Sequence, residues 1–212
     1  MNQPIWLHEL TADAPTHDQD AMQRRIIEAA YELFVTFGLR RTTIEDIAKR
    51  AGVGRPTVYR RFGDKDTIVQ AVLTRESRRL IMSVGAQVEQ VRPASRLLIQ
   101  SFVIGVRTVS RHPLLQRLLE SEPELILPYL TLRAGPLIEI GHLLTADFLQ
   151  TLQLEGGLKR TQAEYLLEVL GRLFISIVIT PSLRLRADDD ASLERLVQQF
   201  MEPLLERQLL PA

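Results

Sequence analysis

Residues 42–65, TTIEDIAKRAGVGRPTVYRRFGDK, constrain the fold more than any other stretch, because they read as two short helices joined by a tight turn with a basic, aromatic exit. Ile44, Ile47, Ala48 and Ala51 recur at i, i+3, i+4 and i+7 and make one apolar stripe on the first helix. The pairs Thr42/Glu45 and Thr43/Asp46 offer a capping box, or a near-equivalent, at its start. Gly52 supplies backbone freedom for a sharp turn, Val53 plugs the corner, and Pro56 is tolerated in the first turn of the second helix. Val58 and Phe62 lie four apart and face inward, which leaves Arg55, Thr57, Tyr59 and Arg60 pointing elsewhere. A face of guanidinium, hydroxyl and phenol groups suits a major groove bordered by phosphates.

The run Thr43-Ile44-Glu45-Asp46-Ile47-Ala48, then Ala51-Gly52-Val53, then Thr57-Val58-Tyr59-Arg60-Arg61-Phe62 and Lys65 resembles the DNA-binding domain of TetR-family transcriptional regulators. The resemblance covers residues 22–72. A helix-turn-helix pattern alone is weak, but the Tyr-x-x-Phe-x-x-Lys exit added to it is specific. The resemblance implies an all-α chain, with an N-terminal three-helix helix-turn-helix domain followed by a larger helical domain for ligand binding and dimerisation. It also implies that Tyr59, Thr43 and Lys65 hold phosphates. Arg55 and Thr57 are the candidates for base edges, since Arg bridges guanine O6 and N7 and Thr offers a hydroxyl or a methyl. Arg60 suits either role, and Arg61 suits an ion pair within the domain or a solvated position as well as a DNA contact.

A formal net charge of zero argues against a nucleic-acid partner until its distribution is examined. Residues 22–80 hold 13 Lys/Arg against 7 Asp/Glu, a local +6, whereas residues 1–21 carry −4 and residues 81–212 carry −2. The positive charge is concentrated where the motif lies, as expected of a DNA-binding module. With 212 residues and 45% hydrophobic content the chain can bury a core in one or two helical domains. The most apolar windows, 97–106 and 173–179, fall short of a bilayer span, so no membrane partner is expected. The absence of cysteine removes disulfides and thiolate metal sites and is compatible with the cytoplasmic location expected here.

Residues 1–20, with Pro4, Pro15, several acids and the cluster Ile5, Trp6, Leu7 and Leu10, read as a mobile arm. The helix-turn-helix domain is expected over 21–66. Its first helix, 21–37, carries Ile26, Ala30, Leu33, Phe34 and Phe37 on one stripe and ends at Gly38. A long helix from about 64–66 toward Val91 faces the small domain with Ile68, Val69, Val72 and Leu73 and the larger one with Leu80, Ile81, Val84 and Val88. The second domain is expected over 67–212. It holds a buried helix at 94–110, short proline-punctuated pieces over 112–136 and a helix at 136–154 closed by Gly156 and Gly157.

The helix at 161–180 is apolar on both sides. Leu166, Val169, Leu170, Leu173, Phe174, Ile177 and Val178 form one stripe, and Leu167, Ile175 and Ile179 extend it. A last helix, 190–209, carries Leu193, Leu196, Val197, Phe200, Met201, Leu204 and Leu205 on one face. Doubled by a two-fold axis, the two would form a four-helix interface, which is how the resembled family dimerises. Both helices closing a monomer core is the alternative.

No catalytic constellation, nucleotide loop or cofactor fingerprint occurs, so no enzyme, cofactor or metal is expected. His8, His17, His112 and His142 are scattered, and Glu139 with His142 is a metal-like spacing without a second copy. Asp188, Asp189 and Asp190 precede a helix and suit its N-terminus. An effector pocket of the kind the resemblance implies would draw apolar walls from Met82, Phe102, Val106, Leu144 and Phe148. Its polar contacts would come from Gln100, Ser101, Arg107 and His142. The expected function is a homodimeric repressor that binds a palindromic double-stranded operator and is released by an unidentified small molecule. An activator, a ligand-independent regulator, or a helical enzyme or adaptor with a chance motif are the rivals.

Overall fold

The computed structural model describes residues 17–135, 138, 159–180, 182, 189–201 and 203. The expectations for residues 1–16, for the helix at 136–154 with Glu139, His142, Leu144 and Phe148, for Asp188, and for Leu204 and Leu205 lie outside the described residues. Those residues form helices and no strand: α1 His17–Arg41, α2 Ile44–Ala51, α3 Arg55–Phe62, α4 Lys65–Val88, α5 Ala94–Ser110, α6 Pro113–Ser121, α7 Pro123–Leu130, α8 Arg160–Ile179 and α9 Asp190–Leu196. A π-helical turn, Val197–Met201, follows α9. The fold is therefore all-α, with a helix-turn-helix domain ahead of a larger helical one.

Contacts divide the chain into Met1–Arg75 and Glu76–Ala212. The division falls inside α4 and not at 66/67, because Ile68, Val69 and Val72 are buried within the first unit. Each adds about 2 kcal/mol of apolar burial, which a unit this small needs beyond three helices.

In the first unit α1 packs on α2 and α2 on α3. Ile26, Ala29, Ala30 and Phe34 bury the inner face of α1, Ile47, Ala48 and Ala51 that of α2, and Val58 and Phe62 that of α3. Ile44 and Leu33, expected in this core, are half-buried. Two further expectations are corrected. The helix starts at His17, so residues 17–20 are helix and not arm. Phe37 is 50% exposed, and Leu39, beyond the break in the helical path at Gly38 (φ 82, ψ 174), is buried instead. Ion pairs dress the outside: Arg50–Glu32 and Arg75–Glu28, each at 2.6 Å, with the Arg75 guanidinium 5.1 Å from the Tyr31 ring. Exposed pairs of this kind are worth under about 1 kcal/mol, so the apolar contacts decide stability.

In the second unit α5 is central. Leu98, Phe102 and Val106 pack with Leu170 and Ile177 of α8, Leu193 of α9, and Val197 and Met201 of the π turn. Phe102 meets Phe174 edge to face at 6.1 Å, and Gly105 makes room for that ring, since a Cβ there would lie 3.1 Å from Phe174 Cε2. Prolines open α6 and α7 at the positions where a missing N–H costs nothing. A buried Glu76 carboxylate meets His112 Nε2 at 3.3 Å and Arg79 at 3.5 Å. Asp189 caps α9, accepting from the Ser192 hydroxyl at 2.7 Å and from the Ala191 amide at 3.1 Å. These hydrogen bonds hold its carboxyl below the usual aspartate value.

The last helix departs from the expected single face. Leu193, Val197 and Met201 are buried, but the wider π turn rotates Phe200 off that face and leaves it 66% exposed. On α8, Tyr165 (75%) and Val169 (57%) are exposed as well, on a line continued by Arg172 and Ser176.

Candidate nucleic-acid interface

The geometry of the first unit starts at Thr43, the N-cap of α2. Its hydroxyl accepts from the Asp46 amide at 3.1 Å and donates to Asp46 Oδ2 at 2.6 Å, while its own amide donates to that oxygen at 2.9 Å. This is the Thr43/Asp46 box. Thr42 instead is buried and donates to Gly38 O at 2.7 Å, so it closes the preceding loop. The Thr43 hydrogen bonds hold the Asp46 carboxyl below its ordinary value. Both donors of Thr43 are thus engaged by Asp46, and a phosphate at this position would have to displace a carboxylate.

The turn follows from Gly52, left-handed at φ 66 and ψ 38, whose amide returns to Ala48 O and Lys49 O. Gly54 then caps α3, its carbonyl accepting from the Thr57 amide at 2.9 Å. With Val58 and Phe62 buried, the helical period sends Arg55, Tyr59 and Arg60 outward, all exposed, with Thr57 half-buried beside them.

Arg55 and Tyr59 form one unit. The guanidinium lies 5.3 Å from the ring centroid and donates Nη2 to the phenol oxygen at 3.3 Å. Tyr59 first and Glu45, 3.9 Å away, second favour the charged guanidinium, whose pKa is raised. Because the phenol oxygen accepts from Arg55, its own proton stays available for a phosphate. Arg61 is half-buried with a buried Nε, apart from the exposed row.

Lys65, expected on a phosphate, donates Nζ to Leu39 O. It thereby ties the start of α4 to the last turn of α1. The same junction is capped by Asp64, whose Oδ1 accepts from the Thr67 amide at 2.7 Å. Sequence reasoning missed Arg25, whose Nη2 reaches Ala51 O at 2.5 Å and Gly52 O at 3.3 Å. Nothing in the spacing of α1 distinguishes it from its neighbour Arg24.

Of the residues expected to line an effector pocket, Met82, Gln100, Ser101, Phe102, Val106 and Arg107 are among the described ones. Met82 is 69% exposed, on a face of α4 where Ser83, Gly85 and Ala86 are exposed too. Phe102 and Val106 are buried in the α5, α8 and α9 core, and Gln100 and Arg107 are half-buried on α5. Ser101 donates to Leu97 O of its own helix at 2.8 Å, and His112, not expected at a site, holds Glu76. Leu144, Phe148 and His142 lie outside the described residues. Among the described residues no three His, Cys, Asp or Glu side chains cluster as metal ligands, and no helix is long and apolar enough to cross a membrane.

A three-helix unit with this turn and outward row is a helix-turn-helix. Residues 26–72 match the model of bacterial regulatory proteins, tetR family, so over this stretch the chain is similar to that family. An HTH-type transcriptional regulator of Mycobacterium tuberculosis (strain ATCC 25618 / H37Rv) is 50% identical over 50 residues, 24% of this chain and 26% of that protein. The HTH-type transcriptional regulator SrpR of Pseudomonas putida is 43% identical over 56 residues, 26% of each chain. The chain thus spans about a quarter of the length of these curated relatives. Among solved structures, the TetR-family repressor AlkX from Dietzia sp. strain DQ12-45-1b superposes with a TM-score of 0.67 at 24% identity, over 89% of this chain and 97% of that one. The R. erythropolis repressor QsdR follows with a TM-score of 0.63 at 22% identity, over 92% and 96%. At these identities the likeness speaks for the fold.

Proposed function

We propose that the chain is a dimeric, ligand-responsive repressor that binds a palindromic operator in double-stranded DNA. The observation that carries the reading is the outward row Arg55, Tyr59 and Arg60 on a helix whose other face, Val58 and Phe62, is locked in a core. In this reading Arg55 and Thr57 address base edges, Tyr59, Thr43 and Lys65 hold the backbone, and Arg60 serves either role. Thr43 does so by exchanging Asp46 for a phosphate.

The dimer is supported by the exposed Tyr165, Val169 and Phe200, large side chains in contact with water that a second copy would cover. Two-fold symmetry would set two recognition helices about 34–36 Å apart, one helical turn of DNA. Two structures of similar fold belong to proteins described as repressors, which supports the sign of regulation. An effector acts in this reading by favouring a state whose helices no longer match successive major grooves, with α4, shared by both units, as the element that carries the change.

The test is selection of bound duplexes from a random library by the full chain. A recovered two-fold motif whose binding weakens steeply with salt supports the reading, and recovery of no motif overturns it.

A further inference from the structure

The carbonyls at the end of α2 have no partners within their helix, and the turn to α3 is only three residues long. Gly52 and Val53 amides point back to Ala48 and Lys49, which leaves the Ala51 and Gly52 carbonyls facing away from the helix. Arg25, from the middle of α1, takes both with a single nitrogen. A cation there also meets the negative end of the α2 dipole. The fit is close: a Cβ on Gly52 would lie 3.1 Å from the same Nη2. Three residues beyond this contact stands Arg55, the first residue of the outward row.

We propose that Arg25 is a positioning residue for DNA recognition: it fixes the angle of α3 by pinning the α2–α3 turn to α1, without holding a phosphate itself. The inference rests on the DNA-binding reading above. α3 is two turns long and has no side-chain cap, so its direction is set by the turn that feeds it and by Val58 and Phe62. A turn released from α1 lets α3 tilt, and base contacts, which tolerate little displacement, weaken before phosphate contacts do. Arg25 therefore contributes to selectivity and not to the electrostatic term.

The experiment measures binding of the full chain and its Arg25→Met and Arg25→Lys variants to two labelled duplexes, over a series of salt concentrations. One duplex is the best sequence recovered by the library selection and the other is of scrambled sequence. Arg25→Met is expected to lose about tenfold on the selected duplex, the worth of one well-made base contact, and less than twofold on the scrambled one. Its slope of log affinity against log salt should equal that of the unmodified chain. Hydrogen exchange of amides 52–55, 57 and 58 should accelerate while that of α1 does not. Arg25→Lys, which keeps the charge on a shorter reach, should fall between, and it decides the matter if Arg25→Met folds poorly. General destabilisation would lower both affinities together, so the ratio separates it from positioning. Equal loss on both duplexes with a slope reduced by about 0.9 makes Arg25 a phosphate contact and overturns the inference, as does unchanged selectivity in both variants. If the unmodified chain itself prefers no duplex, the DNA-binding reading fails, and the inference with it.

Discussion

Arg55 lies over Tyr59 with its guanidinium carbon 5.3 Å from the ring centroid and its Nη2 3.3 Å from the phenol oxygen, one helical turn apart on the same face of α3. Stacking holds a long side chain in one direction before any partner arrives, so less freedom is lost on binding. Arg55→Ala should cost about 1–3 kcal/mol on the selected duplex and relax preference at one base pair. Lys65→Ala should instead weaken selected and scrambled duplexes alike. Parallel titrations of the two variants check the division of labour, which equal losses on both duplexes for both variants would contradict.

At the α2 cap, Thr43→Ala removes a side chain that satisfies the Asp46 amide and should cost about 1 kcal/mol of stability, read as a lower midpoint in thermal unfolding. Its partner gives the pH dependence. The folded pKa of Asp46 is lowered, so its contribution is present above the ordinary value of 3.8 and is lost as pH falls through the depressed one. Titration of the Asp46 carboxyl by NMR should place its midpoint below 3.8, and a midpoint at or above that value would refute the box as a determinant.

In the second unit, Glu76→Ala should destabilise by about 2 kcal/mol, because it strips the half-buried His112 and the exposed Arg79 of the buried carboxylate they share. Glu76→Gln keeps an acceptor and should cost less. Chemical denaturation of both variants tests the order, and equal midpoints would remove the carboxylate from the argument.

Val169→Asp puts a charge in the middle of the exposed line on α8 without touching the core below it. Light scattering should show this variant at half the mass of the unmodified chain, with near-equal thermal stability at low concentration. A unit mass for the unmodified chain would remove the dimer from the proposal.

The helix-turn-helix was legible because each of its constraints is local. A capping pair, a glycine at the turn, and apolar residues at helical spacing all act within a few residues, and they specify Ile47, Val58 and Phe62 as core. α5 was legible to the residue, since Pro93 and the apolar run bound it. What failed depended on departures from the ideal period. Phe37 lies on the apolar stripe of α1 yet is half exposed while Leu39, past the break at Gly38, is buried, and Phe200 stands exposed where the helix widens into a π turn. Arg25 and Glu45 were illegible for a different reason. Their partners lie 26 and 10 positions away along the chain, at distances that only the packed helices create. The effector side was the least legible, because apolar residues such as Phe102 and Val106 look the same in sequence whether they line a cavity or fill a core.

At Gly105 α5 carries no side chain, so the Phe174 ring can lie against its backbone. A single methyl there has nowhere to go but into α8, the helix that presents Tyr165 and Val169 on its outer surface. The notch works as a spacer gauge: in a two-copy assembly built on α8, an added carbon at 105 would be felt twice, and the seam would register a change made deep inside each half.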